Sequence, residues 1–333
     1  MIRRQVSKVK RRLGRTAMAR RLRVASLRRA IGGRLDPDRA IVLTGTPRSG
    51  TTWVGQVLAG LPTHVSLFET IMPDRVKESR PLGFRPYRRP GANWPEATAF
   101  LMAAASGNVL NDWTTCEFSR DAVRGAEAAI LKEVRLTRLL PWISEALPSF
   151  RLVYVVRNPL ATIASQLQTG WFAGTNDYLA DELLKDFPKV VDLLPKEGEA
   201  KERDAVRLAR AWCLDNLVPL SLLPKDAAVV VRYAKLKQNP TAEFQAMFEQ
   251  LGVEVPSSFE ALVAKPSRVT TGHGIGGSQS WETILTADDA AAVRDVLDAF
   301  GLGFVESIDA DLLDPTRAAE LRDRYGYKSD AGD

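Results

Sequence analysis

The sequence predicts an α/β protein in which a central, mostly parallel sheet is covered by helices on both faces, giving three layers (α/β/α). Short apolar runs alternate along the chain with longer helical patterns, as is typical of β–α–β units. The first apolar run, 40–45, ends in glycine and leads directly into a helical pattern. With 333 residues, 45% of them hydrophobic, the chain is long enough to bury a sizeable core.

The individual elements follow from that alternation. Strands are expected where apolar runs are short and bounded by turn residues, and helices where amphipathic segments lie between them. The predicted strands span 40–45, 64–68, 128–132, 151–156 and 227–233. The predicted helices span 51–61, 136–146, 159–167, 201–223, 241–252 and 286–301. A proline opens the helix at 159 and a glycine closes the one at 252, both ordinary helix boundaries.

The region 70–127 fits the alternation poorly and is predicted to be an irregular insertion. It contains RPLGFRPYRRPGANWP (80–95), which is rich in proline, arginine and aromatic residues. An insertion that follows the second strand is a place where an acceptor site can be built. It can equally be a structural cover, and the sequence does not separate these interpretations.

Residues 1–36 are predicted to be a basic arm, mostly helical, ahead of a single domain at 37–333. Thirteen Arg or Lys and no acidic residue lie between Met1 and Arg34. Without those 13, the chain keeps 33 of its 46 basic residues against 40 acidic ones, a net charge of −7. The arm's apolar residues recur about every four positions, so it is expected to lie on an anionic membrane surface, to pack on the domain, or to remain a solvated tail. Because no aromatic platform accompanies it, nucleic-acid binding is not expected.

Cysteine and histidine usage excludes several classes of protein. Cys116 and Cys213 are far apart and in no metal-ligand spacing, which indicates a reducing compartment without a disulfide framework. His64 and His273 are the only histidines, so a histidine-rich metal site is excluded.

The arm lacks the apolar stretch of a signal peptide or transmembrane helix. A cytoplasmic location is therefore expected, and peripheral contact of residues 1–34 with the inner face of a membrane is one of the alternatives for the arm. The oligomeric state and the pathway are not indicated.

The segment LTGTPRSGTTWVG (43–55) carries the strongest functional signal. A Gly-bounded turn between a buried strand and a helix directs several backbone N–H groups at one point, with the positive end of the helix dipole behind them. The spacing Gly45-x-x-x-x-Gly50 is that of a P-loop, but Thr51 stands where nucleotide-hydrolysing P-loops have lysine. The nearest cation is Arg48. A phosphate site is therefore predicted, and an Mg²⁺-dependent small-molecule kinase is the alternative that the missing lysine disfavours.

Three motifs, in the same order along the chain, resemble those of one protein family. PRSGTTW (47–53) resembles the 5′-phosphosulfate loop of sulfotransferases that use 3′-phosphoadenosine 5′-phosphosulfate (PAPS). VVRNPLATIAS (155–165) resembles their 3′-phosphate motif, and VVRYAKL (230–236) resembles their strand-end RYExL element. The catalytic elements are similar to those of bacterial carbohydrate or lipid sulfotransferases and of tyrosylprotein sulfotransferases. The resemblance implies a P-loop NTPase-like fold and transfer of a sulfuryl group to an acceptor hydroxyl. It implies PAP (adenosine 3′,5′-bisphosphate) and a sulfate ester as products, and no metal.

The resemblance also implies a donor site. The loop would hold the 5′ end of PAPS, while the Arg157 guanidinium and the Ser165 hydroxyl would hold the 3′-phosphate. The complete set of expected donor-binding residues is Pro47, Arg48, Ser49, Gly50, Thr51, Thr52, Trp53, Arg157, Ser165 and Tyr233. Trp53 and Tyr233 have core packing as their alternative role. The loop 266–280 is expected to close over the donor, with Ser267, Arg268 and Ser278 as contacts.

The expected catalytic residues are Glu69, Arg48 and Lys132. SLFETIMP (66–73) resembles the stretch that holds the catalytic glutamate of tyrosylprotein sulfotransferases, and Glu69 lies 21 positions after Arg48. Glu69 is therefore the expected base, whereas Arg48 and Lys132 would stabilise charge on the leaving phosphate and the sulfuryl group. A carbohydrate or glycolipid hydroxyl is the favoured acceptor, with tyrosine or a small phenol as alternatives. A protein that keeps the fold without catalysis, bound to membrane or nucleic acid, is the alternative class.

Overall fold

The computed structural model describes residues 18–31, 33–118, 120–170, 181–195, 203–264 and 280–328 of the 333-residue chain. Its centre is a five-stranded sheet with strands in the order β2-β3-β1-β4-β5. The strands are β1 Ile41–Thr44, β2 His64–Phe68, β3 Ala128–Lys132, β4 Arg151–Val156 and β5 Val229–Arg232. All neighbouring strands run parallel. Their carboxyl ends therefore meet along one edge of the sheet.

Helices cover both faces of the sheet in the described part of the chain. They are α1 (18–31), α2 Thr51–Leu58, α3 Pro95–Ala105, α4 Arg120–Gly125, α5 Leu140–Ala146, α6 Pro159–Gln168, α7 Asp181–Asp186, α8 Asp204–Leu222, α9 Tyr233–Gln238, α10 Pro240–Leu251, α11 Phe259–Val263, α12 Ala287–Ala299 and α13 Pro315–Tyr325. One apolar cluster joins α2, α10 and α11 to one face, and a second joins α3, α5, α6 and α8 to the other. The three-layer α/β/α prediction is confirmed.

Alternation along the strands distributes the side chains between these two layers. In β4, Val153 and Val155 pack with α2 and α10, whereas Leu152, Tyr154 and Val156 pack with the helices of the opposite face. Both faces are apolar because both are covered, as expected for a parallel sheet.

The first four strands match their predicted positions within one residue, and β5 is shorter than the predicted 227–233. It pairs only with β4, from Val153↔Val229 to Val156↔Arg232, and Tyr233 already begins α9. The helix predicted at 136–146 is divided into a 3-10 turn, Thr137–Leu139, and α5. Pro141 lies in the first turn of α5, where its missing N–H costs nothing and a helix readily begins.

The region 70–127 contains regular structure that its composition did not indicate. Helix α3 buries Phe100 and Leu101 in the core, and Arg85 forms a buried ion pair with Asp215 of α8. This segment therefore covers one face of the sheet and is tied to its central helix.

The described part of the basic arm is a helix that packs on the domain. Ile31 of α1 is only 1% exposed, and Val24 and Leu27 pack partly buried against the same core. The guanidinium groups of Arg23 and Arg28 donate to the carbonyl oxygens of Thr115 (2.6 Å) and Leu110 (2.8 Å). Within the described ranges, no helix combines the length and hydropathy needed to span a bilayer.

Candidate active site

The candidate residues lie along the carboxyl edge of the sheet. Glu69 directly follows β2, Lys132 ends β3, Arg157 directly follows β4 and Tyr233 directly follows β5. The loop 45–50 follows β1, in the middle of this row. Because neighbouring strands are about 4.8 Å apart, the five strand ends form a row about 19 Å long. Ligands of open parallel sheets bind at this edge.

The loop between β1 and α2 has the backbone of an anion cradle. Arg48 (φ 74°) and Gly50 (φ 106°) both adopt positive φ, and Ser49 N–H donates to the Thr46 carbonyl at 2.9 Å. A Cβ on Gly50 would lie 2.3 Å from Cδ2 of Tyr233, so only glycine fits. Helix α2 begins at Thr51, and the positive end of its dipole faces the loop.

Two buried amides that the sequence did not single out support this loop. Gln166 of α6 donates to the Pro47 carbonyl at 2.8 Å. Asn216 of α8 donates to Thr46 Oγ1 at 2.9 Å and accepts from the Tyr154 hydroxyl at 2.6 Å. The loop is therefore held from two helices on one face of the sheet.

The two residues expected to bind the 3′-phosphate, Arg157 and Ser165, both contact Arg48 of the loop. Arg48 Nε donates to Ser165 Oγ at 3.1 Å, and Arg157 Nη1 donates to the Arg48 carbonyl at 3.0 Å. The Arg157 guanidinium lies 4.9 Å from the centre of the Tyr233 ring, a cation–π contact. Burial lowers the pKa of both guanidinium groups from their ordinary value, and Arg48 adds to the effect on Arg157. Even so, both remain charged near neutral pH.

These two arginines fit an anionic ligand. Among the described residues, no carboxylate lies within ion-pair distance of Arg48 or Arg157. Both side chains are partly buried, so they lose part of their water shell without gaining a counter-charge from the described residues, and an anion bound here would supply that charge. Ser49 Oγ and Trp53 Nε1 are also buried, and neither has a hydrogen-bond partner in the part of the chain that the structure describes. Trp53 otherwise packs in the core, edge-on to Phe244 at 5.4 Å.

On the other side of the loop, Glu69 is paired with two cations. Its Oε1 lies 3.4 Å from Lys132 Nζ, and its Oε2 accepts from Arg135 Nη1 at 2.9 Å. Lys132 and Arg135 side chains are each 3% exposed, against 13% for Glu69. The aliphatic part of the Lys132 side chain packs against α2, since a Cβ on Gly55 of that helix would lie 3.3 Å from Lys132 Cγ. Glu69 and Lys132 were expected here, whereas Arg135 was not.

Aromatic side chains surround this carboxylate. Lys132 Nζ lies 4.2 Å from the Phe68 ring centre, and the Arg135 guanidinium lies 4.6 Å from that of Phe84. Trp113 packs edge-on to Phe68 at 5.1 Å and donates from Nε1 to the Glu69 carbonyl at 3.1 Å. The proline- and arginine-rich segment thus brings Phe84 against Arg135, one of the two cations paired with the candidate base.

The remaining predicted contacts are not all described. Ser267, Arg268 and Ser278 lie outside the described residues. Thr51 is buried at the start of α2, and Thr52 beside it is partly exposed. In the described ranges, no group of three or more His, Cys, Asp or Glu is arranged to hold a metal.

The fold and the site together define a P-loop-type α/β protein with a Gly-bounded loop after β1, two partly buried arginines beside it and a carboxylate paired with a lysine. The family model described as the sulfotransferase family matches residues 40–257. The chain therefore belongs to the sulfotransferase family, which confirms the resemblance found in its motifs.

Human carbohydrate sulfotransferases 5 and 6 are among its relatives. The first is 29% identical over 163 residues, which cover 47% of this chain and 37% of the relative. The second is 30% identical over 171 residues, covering 47% and 39%. The matched part is thus less than half the length of these relatives.

Solved structures of sulfotransferases are also similar to the chain. The mouse sulfotransferase SULT7A1 complexed with PAP has a TM-score of 0.44 and 13% identity, covering 85% of this chain and 93% of that one. A sulfotransferase from Alicyclobacillus acidocaldarius has a TM-score of 0.40 and 15% identity, covering 87% and 97%.

Proposed function

We propose that this protein transfers a sulfuryl group from PAPS to an acceptor hydroxyl, yielding PAP and a sulfate ester without a metal ion. The observation that carries this proposal is the pair Arg48 and Arg157, two partly buried cations beside the Gly-bounded loop that have no carboxylate partner among the described residues. A ligand with two separate anionic groups matches that pair. Family membership supports PAPS as that ligand.

The donor would lie across the β1 and β4 ends of the sheet. The loop N–H groups, with Thr51, Thr52 and Ser49, would bind its 5′ end. Arg157 and Ser165 would bind the 3′-phosphate, and the exposed part of Tyr233 would lie beside the adenine. When bound, PAPS supplies the sulfuryl group and a phosphate leaving group.

The chain's own residues would then perform the acid–base and electrostatic work. Glu69 would take the proton of the acceptor hydroxyl as its oxygen attacks sulfur in line, opposite the breaking bond between sulfur and the bridging oxygen. Arg48 would stabilise the negative charge on the leaving phosphate, and Lys132 would contact the transferred group. Lys132 is already 3.4 Å from Glu69, so the base and the cation share one small space.

A carbohydrate or glycolipid hydroxyl is the acceptor that we favour. The two human relatives are carbohydrate sulfotransferases by name, and residues of the 70–127 segment line the Glu69 side of the site. Tyrosine or a small phenol is the alternative acceptor.

The arm provides a second proposal, that of contact with a membrane surface inside the cell. Met18 and Leu22, one helical turn apart on α1, are each 56% exposed. They lie within a segment that holds 13 basic and no acidic residues up to Arg34. Such a combination binds anionic lipid surfaces.

Calorimetric titration with PAP and with ATP, each with and without Mg²⁺, tests the donor assignment. We expect PAP to bind independently of Mg²⁺, and Arg157→Ala to weaken it about 10- to 100-fold, because hydrogen bonds to charged groups are the strong ones. Arg151→Ala is the matched control, since Arg151 begins the same strand at the opposite edge of the sheet. Mg²⁺-dependent ATP binding with no response to PAP would favour the kinase instead.

A further inference from the structure

One buried carboxylate next to the site has no part in the mechanism above. Glu133 follows Lys132 at the end of β3 and is 0% exposed. Burying a carboxylate is unfavourable unless strong hydrogen bonds replace its water shell. The partners of Glu133 therefore indicate why it is there.

Within the described structure, all of the hydrogen-bond donors to its carboxylate come from the two residues after Glu69. Thr70 donates twice to Oε1, from its hydroxyl at 2.6 Å and from its backbone N–H. The Ile71 N–H lies 3.3 Å from each of the two carboxylate oxygens. Glu133 thus binds the backbone segment that directly follows Glu69.

That backbone has an unusual conformation. Glu69 (φ 40°) and Arg48 are the two non-glycine residues with positive φ in the described part of the chain. A glutamate in this region is strained and keeps the conformation only where its surroundings impose it. Before the strained residue, Glu69 N–H donates to the Lys132 carbonyl at 2.8 Å. After it, Glu133 binds the next two N–H groups.

We propose that Glu133 is a positioning residue for Glu69, holding Thr70 and Ile71 so that the Glu69 carboxylate stays against Lys132 and Arg135. This inference rests on the proposed function, in which Glu69 is the base. The neighbours Lys132 and Glu133 then have complementary roles at one strand end. Lys132 contacts the Glu69 side chain, and Glu133 fixes its backbone.

The positioning of Glu69 by Glu133 should depend on pH, because it requires the charged form of Glu133. Burial raises the pKa of Glu133 to about 7, against the lowering effect of the Thr70 hydrogen bonds. The charged groups that act on it are Glu69, which raises the pKa, and Arg135, which lowers it. As the pH falls through about 7, Glu133 takes up a proton and one oxygen loses acceptor capacity. The hold on Thr70 and Ile71 then weakens.

Amide hydrogen exchange tests the positioning without relying on turnover. At pH 8, Glu133→Gln is expected to exchange the Thr70 and Ile71 amides about tenfold faster than wild type, because the charged acceptor is lost. Glu127→Gln is the matched control, since Glu127 precedes the other end of β3 and pairs with Arg39. Unchanged exchange at these two amides in Glu133→Gln would overturn the inference.

Kinetics test the consequence for the reaction. In Glu133→Gln we expect kcat about tenfold lower, PAP affinity unchanged, and the wild-type inflection near pH 7 absent. Thr70→Val, which removes one of the donors, should lower kcat in the same direction, and Thr70→Ser should restore it. A wild-type pH profile in Glu133→Gln contradicts the positioning role. Absence of sulfuryl transfer in the wild type would instead refute the proposed function, and the exchange result would still decide whether Glu133 holds this backbone.

Discussion

Gly50 is a residue of the loop that no other amino acid can replace without strain. Its φ of 106° strains any other residue, and an added Cβ would meet the Tyr233 ring. We expect Gly50→Ala to push Tyr233 away from Arg157 and to weaken PAP binding at least tenfold, since backbone and ring must both move. Gly252→Ala is the matched control, because Gly252 also has positive φ (62°) but nothing within 4 Å of the added atom. Equal PAP affinities in the two variants would contradict the contact argument.

A substitution at Glu69 can test the chemical step separately from donor binding. Glu69→Gln keeps the size of the side chain and removes the proposed base, so we expect kcat to fall by about 10²- to 10⁴-fold, in the range for general-base catalysis. PAP affinity should be unchanged, because the proposed donor-binding residues follow β1, β4 and β5, whereas Glu69 follows β2. Turnover assays and calorimetry on the same preparation measure both quantities. A variant with normal kcat would assign the base to another group.

At the scale of elements, α1, the described part of the arm, contacts a segment that reaches the site. Its arginines bind carbonyls of the 110–115 segment, and that segment supplies Trp113, which donates to the Glu69 carbonyl. We expect Ile31→Ala to destabilise the fold by about 2–5 kcal/mol, the usual cost of truncating a buried isoleucine. Leu22→Ala, on the exposed face, should change the stability by less than about 0.5 kcal/mol. Urea unfolding measures both, and equal effects would contradict the packing of α1.

Strand β2 carries a pH-sensitive residue at its start. Burial lowers the pKa of His64 to about 4, and the side chain is 1% exposed. The unfolded chain binds a proton near pH 6.5 and the folded one does not, so this contribution to stability is present above pH 6.5 and is lost as the pH falls toward 4. We expect the difference in unfolding free energy between wild type and His64→Gln to shrink over that range. Parallel pH profiles of the two proteins would contradict a buried neutral histidine.

At the scale of the whole molecule, charge is divided between a basic arm and a mildly acidic body. We expect the protein to bind vesicles that contain anionic lipid, and salt to weaken this binding. The double variant Met18→Ser, Leu22→Ser should reduce partitioning about tenfold, because two exposed apolar side chains are lost. Val191→Ser is the control, since Val191 is 54% exposed on another surface. Equal partitioning of all three proteins would refute membrane contact through α1.

The sequence by itself determined four of the strands to within one residue, the Gly-bounded loop after β1 and the family, because these are local patterns. Apolar runs mark buried strands, and PRSGTTW marks a loop whose backbone conformation depends on its own glycine. The same holds for the placing of Arg157 and Ser165, which lie on one strand–helix unit. Glu69 and Lys132 were expected from resemblance, and the structure brings them to 3.4 Å.

Only the tertiary structure decided which distant residues support those patterns. Asn216 contacts Thr46 across 170 residues, Arg135 contacts Glu69 across 66, and Glu133 contacts Thr70 across 63. Such pairs depend on the strand order β2-β3-β1-β4-β5, which places the ends of β2 and β3 side by side and α8 against the loop. Periodicity in the chain encodes the elements and their buried faces. It does not encode which strand ends meet, because that depends on how all the apolar faces are buried together.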